Sequence, residues 1–211
     1  IRDRLCRHID IAAECKIPLL RHDVAWGYYE GYTGIKSYKK VIEAVAPLVR
    51  QAAEYARERG VKTCSENHGY LLQDSVRMLE LFAAVDHPNY GFLCDMGNFT
   101  VVDEDCATAV SALSDYIVHV HAKDMLVRSG MNFDPGRGYN LSRGGNYWRG
   151  TIFGHGNVPT FQILSAIRKS GYDGYVSLEF EGMEPVLEGV EIGTQNLQHM
   201  IEVIGEGQRY V

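Results

Sequence analysis

The 211-residue chain lacks the features that mark secreted, disulfide-rich and membrane-spanning proteins. Its five cysteines are odd in number and show no C-x-x-C spacing, which favours reduced thiols over a disulfide framework. No apolar run approaches the roughly 20 residues that cross a bilayer, and the N-terminus lacks the pattern of a signal peptide. We therefore expect a cytoplasmic protein without a membrane partner.

Positive charge is also scarce. Lysine and arginine number 21 against 27 acidic residues, and the net charge of −6 disfavours a protein that neutralises nucleic-acid phosphates. We expect no nucleic-acid partner, although a small anionic substrate is compatible with this charge. The chain has no repeat, low-complexity tract or clear linker, and its 45% hydrophobic composition suits one globular domain over residues 1–211.

Short β-rich runs alternate with longer helical patterns along the chain. That alternation is typical of βα units that build a parallel sheet. The predicted strands are residues 17–22, 61–66, 91–95, 116–121 and 175–179. The predicted helices are residues 2–16, 37–59, 75–85, 159–169 and 188–204, and we expect Pro47 to kink or split the second of them.

The stretch from residue 125 to residue 151 interrupts this alternation. It holds six glycines and four arginines and has no convincing periodicity. Long loops in compact domains are usually functional or disordered, so we interpret it as an active-site loop or lid. A mobile insertion, or one that contacts another subunit of a homo-oligomer, is the alternative.

Polar residues follow four of the predicted strands at their carboxyl ends. They are Glu66, Asp95, His121 and Glu179. In a parallel barrel these ends share one face, where such enzymes assemble their sites from several strands. Each residue alone also suits a turn or a helix cap, and the fourfold recurrence favours a shared site.

Three carboxylates and one imidazole suggest a metal site. Uncompensated carboxylates repel one another, and a divalent cation removes that repulsion. The oxygen-rich set suits one Mn²⁺ or Mg²⁺ ion, with Zn²⁺ or Co²⁺ as alternatives through the imidazole. His119 lies two residues before His121, on the same strand face, and we expect it to be a satisfied neighbour of the site.

Five motifs follow one another along the chain: Glu66-Asn67-His68, Asp95-Met96-Gly97-Asn98, His121-Ala122-Lys123-Asp124, Gly154-His155-Gly156 and Ser177-Leu178-Glu179. Their order and spacing resemble successive motifs of the xylose-isomerase-like superfamily, from about residue 17 onward. That superfamily includes ketose 3-epimerases, hydroxypyruvate isomerases, inosose dehydratases and apurinic-site endonucleases. The resemblance implies an α/β fold, the (β/α)₈ TIM barrel.

The resemblance also assigns roles. It implies that Glu66, Asp95, His121 and Glu179 hold the metal, and that Glu66 and Glu179 also act as the acid/base pair. These four would come from the last four barrel strands. The chain then resembles the last five βα units of a barrel truncated at its N-terminus, and we expect a segment before Ile1.

Departures from the family pattern narrow the function. Asn98 replaces a histidine of many relatives, and suitably placed histidines are too few for a three-zinc endonuclease site. The ketose epimerases carry an arginine motif after the metal histidine that this chain lacks, whereas Lys123 and Asp124 are closer to the dehydratase and isomerase branches.

Further residues suit catalysis and substrate binding. Lys123 can stabilise an oxyanion or donate a proton, or else form a structural ion pair. The predicted substrate-binding residues, which can hydrogen-bond sugar hydroxyls, are His22, His68, Asn98 and His155.

We therefore predict a metal-dependent isomerase or epimerase of a small sugar, keto acid or cyclitol that works through a cis-enediolate. An inosose-type dehydratase would use the same chemistry to expel water. The third hypothesis is a non-catalytic sugar-binding barrel with a vestigial ligand set.

Overall fold

Helices and strands alternate along the computed structural model of the chain, which describes residues 2–205. The helices are α1 (Arg2–Glu14), α2 (Tyr38–Arg57), α3 (Ser75–Val85), α4 (Cys106–Leu113), α5 (Thr160–Lys169) and α6 (Val186–Gly205). The strands are β1 (Leu19–Arg21), β2 (Lys62–Glu66), β3 (Tyr90–Asp95), β4 (Ile117–Ala122), β5 (Asp124–Arg128), β6 (Asn140–Leu141), β7 (Tyr147–Thr151) and β8 (Val176–Leu178). The five predicted strands and five predicted helices all form, with ends shifted by a few residues.

The chain divides into two compact units, residues 1–93 and residues 94–211. The expectation of one domain stays a prediction. In the first unit β1 pairs with β2 and β2 with β3, both in parallel. Helices α1 and α2 pack together over a small core that includes Ile9, Ala56 and Val61. Burial of these apolar side chains stabilises the layer of helices on this part of the sheet.

Helix ends in the first unit follow local chemistry. The Asp74 side chain caps α3 by accepting the Arg77 backbone N–H at 3.1 Å. Helix α2 begins after Ser37, whose side chain accepts the Lys40 N–H at 3.4 Å. Pro47 lies inside α2, but α2 is one element rather than two, so the prediction of a split is wrong. Buried apolar residues occur both before and after Pro47 along the helix. Their packing holds the two parts in one helix.

The second unit contains a parallel pair and a separate antiparallel sheet. Strand β4 pairs with β8 in parallel, while β5, β7 and β6 form a three-stranded antiparallel sheet. That sheet occupies the stretch in which the sequence shows no periodicity. Helix α4, which the sequence analysis also missed, packs against α5, and α5 packs against α6. Among residues 2–205, every helix is too short or too polar to span a bilayer.

Candidate active site

Three of the four predicted metal ligands meet in the second unit. Asp95 ends β3, His121 lies in β4, and Glu179 follows β8 directly. His121 pairs with Ser177 across the parallel strands, so Glu179, two residues beyond Ser177, falls on the face that His121 occupies. One ligand atom from each of Asp95, His121 and Glu179 lies within 4.8 Å of the other two. The strand register thus brings together residues that are 84 positions apart along the chain.

Asp95 is held in one orientation by backbone donors. Its side chain is fully buried, and its Oδ1 accepts the N–H groups of Gly97 and Asn98, each at 2.8 Å. The second carboxylate oxygen, Oδ2, lies 3.2 Å from the ammonium nitrogen of Lys123. Glycine is favoured at 97 because a Cβ there would lie 3.1 Å from the Lys123 carbonyl oxygen, a tight contact. The turn after β3 therefore aims one oxygen of Asp95 at the site.

Lys123 is the charged centre of this cluster. Its Nζ lies 2.8 Å from Glu179 Oε2, 3.3 Å from Glu181 Oε2 and 3.4 Å from Asn98 Oδ1. Burial alone would lower the pKa of Lys123, but Asp95, Glu179 and Glu181 outweigh it and raise the pKa above the ordinary value. Lys123 is therefore a protonated cation that neutralises part of the carboxylate cluster.

Glu179 is correspondingly held as a carboxylate. Burial would raise the pKa of Glu179, but the contact with His121 and the charge of Lys123 hold it well below the ordinary value. His121 Nδ1 lies 3.3 Å from Glu179 Oε2. Behind it, His119 Nε2 lies 2.9 Å from the Ser177 hydroxyl, and the two histidine rings meet edge to face at 5.6 Å. His119 is thus a satisfied neighbour of the cluster, as the sequence predicts.

The three donors fit a hard divalent cation. Two carboxylates and an imidazole are a ligand set typical of Mg²⁺ or Mn²⁺, and the imidazole also suits Zn²⁺ or Co²⁺. The Lys123 ammonium lies among three carboxylates, so a positive charge at this position reduces their mutual repulsion. A divalent cation would meet the same electrostatic demand.

Glu66, the fourth predicted ligand, lies in the first unit at the end of β2. Its side chain is 4% exposed, and its Oε2 lies 2.7 Å from the guanidinium NH2 of Arg21. The same Arg21 nitrogen lies 2.9 Å from Asp23 Oδ1 and 3.4 Å from His68 Nδ1. The Trp26 ring meets the His68 ring edge to face at 4.6 Å. Glu66 and His68 thus share one polar cluster at the carboxyl end of β2.

His22 lies on the other face of the sheet. Its ring stacks on Tyr90 at 5.9 Å, and Tyr90 pairs with Thr63, whereas Arg21 pairs with Cys64 on the face that carries Glu66. Burial of the ring lowers the pKa of His22. The substrate-binding role of His22 stays a prediction.

A buried carboxylate shapes the loop that carries His155. Asp124 accepts four backbone N–H bonds, from Met125, Gly154, Gly156 and Val158, at 2.8 to 3.1 Å. A Cβ at Gly156 would collide with this carboxylate, so glycine is required there. Burial raises the pKa of Asp124, and the four N–H bonds oppose that rise. His155 lies exposed at the tip of the loop. Asn98, in contrast, lies against Lys123 in the cluster.

Sequence reasoning missed Arg21, Asp23 and Glu181. Arg21 and Asp23 flank the carboxyl end of a predicted strand, and Glu181 follows Glu179 at a spacing of two. Their positions at strand ends could have indicated them, because the other predicted site residues also lie at strand ends. Their contact partners could not be predicted from the sequence, since Arg21 and Glu66 are separated by 45 positions.

Known proteins show which family this chain belongs to. A family model described as xylose isomerase-like TIM barrel matches residues 1–204. Among curated proteins, an inosose dehydratase from Lacticaseibacillus casei is 28% identical over 142 residues, which are 66% of this chain and 47% of that protein. The chain spans about half the length of the curated relatives it matches.

Solved structures show the same fold. A xylose isomerase domain protein from Planctomyces limnophilus matches with a TM-score of 0.74 at 16% identity, over 97% of this chain and 66% of that one. A D-tagatose 3-epimerase-like protein matches at 0.70, with 20% identity over 96% of this chain and 68% of that one. A xylose isomerase-like TIM barrel protein from Mycobacterium smegmatis in complex with magnesium matches with a TM-score of 0.68 at 17% identity. The match covers 96% of this chain and 66% of that one. These likenesses confirm the predicted TIM-barrel fold.

Proposed function

The chain belongs to the xylose isomerase-like TIM barrel family, and on that premise we propose that it is a metal-dependent sugar isomerase or epimerase. Its substrate would be a small sugar, keto acid or cyclitol with a carbonyl next to a hydroxyl-bearing carbon. The observation that carries this proposal is the meeting of Asp95, His121 and Glu179 around the Lys123 ammonium group. Such clusters of charged groups with shifted pKa values are typical of reaction sites.

We assign the metal to Asp95, His121 and Glu179, with Glu66 as the fourth ligand. Glu66 is included because it ends β2, as Asp95 ends β3, and because it matches the motif of the family. When bound, a divalent cation polarises the substrate carbonyl and stabilises the negative charge that develops on its oxygen. Mn²⁺ or Mg²⁺ is the first choice because the ligand set is rich in oxygen. Similar solved structures include one in complex with magnesium and one with a bound zinc atom.

The proton is moved by the two glutamates in this proposal. Glu179 would accept a proton from the carbon beside the carbonyl. Glu66 would serve the opposite face, as epimerisation requires. Lys123, which carries a proton and lies 2.8 Å from Glu179, would stabilise the developing oxyanion. Asn98, His68 and His155 would contact substrate hydroxyls.

A dehydratase is the second candidate, and the curated relative favours it, because that protein is an inosose dehydratase. The first proton transfer would be the same. The reaction would differ at the next step, in which a hydroxyl on the neighbouring carbon leaves as water after it receives a proton. Lys123 is the cation nearest the cluster that can supply it.

Metal content comes first among the tests. We would measure divalent metal in the purified chain and in the His121→Ala and Glu179→Gln variants. About one ion per chain is expected, with loss in both variants. Glu184→Gln is the matched control, since Glu184 pairs with Arg149 in the same unit and should leave the metal in place.

Substrate chemistry is tested in D₂O with a panel of ketoses and inososes. Deuterium uptake without a change of skeleton indicates isomerisation or epimerisation, whereas loss of one water and a new enone absorbance indicate dehydration. Absence of metal after reconstitution with Mn²⁺, Mg²⁺, Co²⁺ or Zn²⁺, together with no deuterium uptake, would refute both enzyme proposals. A binding role would then remain for the barrel.

A further inference from the structure

Arg21 contacts a residue to which the proposed function gives two roles. Its guanidinium NH2 lies 2.7 Å from Glu66 Oε2, and the Glu66 side chain is 4% exposed. Arg21 is the last residue of β1 and pairs with Cys64, so its side chain shares the face of Glu66, two residues further along β2. The long arginine side chain spans that offset and reaches the carboxylate.

Arg21 is itself held in place from the other side. The same NH2 group lies 2.9 Å from Asp23 Oδ1, and the other oxygen of Asp23 accepts the Trp26 indole N–H at 2.9 Å. Trp26 in turn packs edge to face on His68. A chain of contacts therefore runs from the indole through Asp23 and the guanidinium to Glu66. Such support restricts the orientation of the carboxylate.

The fold alone does not account for this pair. The Glu66 carboxylate is nearly removed from water while its partner Arg21 is 37% exposed, and removal of the carboxylate from water has a free-energy cost that the attraction offsets only in part. An apolar pair would serve β1–β2 packing without that cost. Arginine also differs from lysine in its planar fork of donors and in its permanent charge. These properties suit a group that must hold a carboxylate in one direction.

We propose that Arg21 is a positioning residue, which orients the Glu66 carboxylate for proton transfer. This inference rests on the proposed function, because it gives Glu66 a part in the reaction. Arg21 acts through Glu66, and Asp23 and Trp26 keep Arg21 in place. Its loss should lower kcat far more than it changes KM, since the substrate still binds while the reacting carboxylate is misplaced.

The test compares Arg21→Ala and Arg21→Lys with the wild-type chain in the deuterium-uptake assay on the ketose and inosose panel. Arg21→Ala should lower kcat on the order of tenfold to a hundredfold. Arg21→Lys should recover part of the loss, and millimolar guanidinium added to Arg21→Ala should restore part of kcat. Rescue by guanidinium separates positioning from a general loss of structure.

Arg77→Ala is the matched control. Arg77 lies in the same unit, pairs with Asp74 at 3.1 Å and donates to the Leu71 carbonyl at 2.8 Å. It should lose stability without a selective loss of kcat or rescue by guanidinium. All variants are compared at equal bound Mn²⁺, measured by metal analysis, and their unfolding temperatures are recorded.

Three outcomes would overturn the inference, and they separate the role of Arg21 from the proposed function. If wild type takes up deuterium and Arg21→Ala retains kcat within about threefold at full metal occupancy, only the role of Arg21 is wrong. The role of Arg21 is also wrong if neither added guanidinium nor the Arg21→Lys substitution restores part of the lost kcat. If wild type takes up no deuterium, the proposed function fails, and the role of Arg21 fails with it.

Discussion

Replacement of Lys123 by methionine should destabilise the metal-free protein strongly. The Lys123 side chain is 4% exposed, and its ammonium lies 3.2 Å from the fully buried Asp95 and 2.8 Å from Glu179. Methionine keeps most of the volume but removes the cation, so two carboxylates are left facing one another. Removal of one partner of a buried ion pair costs about 3–5 kcal/mol.

The lower end of that range applies here. Glu179 is 33% exposed, so water screens part of its charge. Glu181 is half exposed, so its ion pair with Lys123 adds little to the free energy lost. A loss of about 3 kcal/mol in the free energy of unfolding corresponds to roughly 6–12 °C in a chain of this size. Because bound Mn²⁺ would restore the missing positive charge, the variant should gain more stability from Mn²⁺ than wild type does.

The assay is thermal unfolding followed by circular dichroism, with a chelator and with saturating Mn²⁺. Lys62→Met, at the start of β2, serves as a control that should change the unfolding free energy by no more than about 0.5 kcal/mol. If Lys123→Met loses less than about 1 kcal/mol without metal, the cluster does not depend on this cation and the reasoning is refuted. An equal Mn²⁺ effect in variant and wild type would equally contradict it.

Two further predictions concern the loops of the second unit. Asp124→Asn turns an NH2 group toward two of the backbone N–H donors that the carboxylate accepts, so urea unfolding should show a loss of about 1–3 kcal/mol; an unchanged midpoint would count against it. Asp103 accepts bonds from Ser142, Asn146 and Gly144, which outweigh burial and lower the pKa of Asp103 below its ordinary 3.8. Its contribution is therefore present above pH 3.8 and is lost as pH falls through the lower folded value. In wild type, protease cleavage of the loop near residue 144 should rise as the pH falls below 3.8. The Asp103→Ala variant should be cleaved readily even at neutral pH.

Much of the regular structure was readable from local pattern. Helix α3 lies at its predicted bounds because Asp74 caps it and its apolar residues recur at helical spacing. The strands ending at Glu66 and Asp95 were predicted within one residue, since each is a short β-rich run that ends in a polar residue. The antiparallel sheet of β5, β6 and β7 was missed, because β6 has only two residues and the segments that join the strands are rich in glycine. Asp103, 39 positions before Ser142, helps to hold it.

The sequence by itself determined which residues are chemically able to form the site. Acidic residues and a histidine at strand ends follow from the alternation of apolar and polar side chains, which is a local property. Only the tertiary structure decided which of them share a partner. Lys123 is neighbour to Glu179 and Glu181 because β4 pairs with β8, and Arg21 reaches Glu66 because β1 pairs with β2. Those contacts depend on strand register and on packing between residues far apart in the chain, and local periodicity carries no information about either.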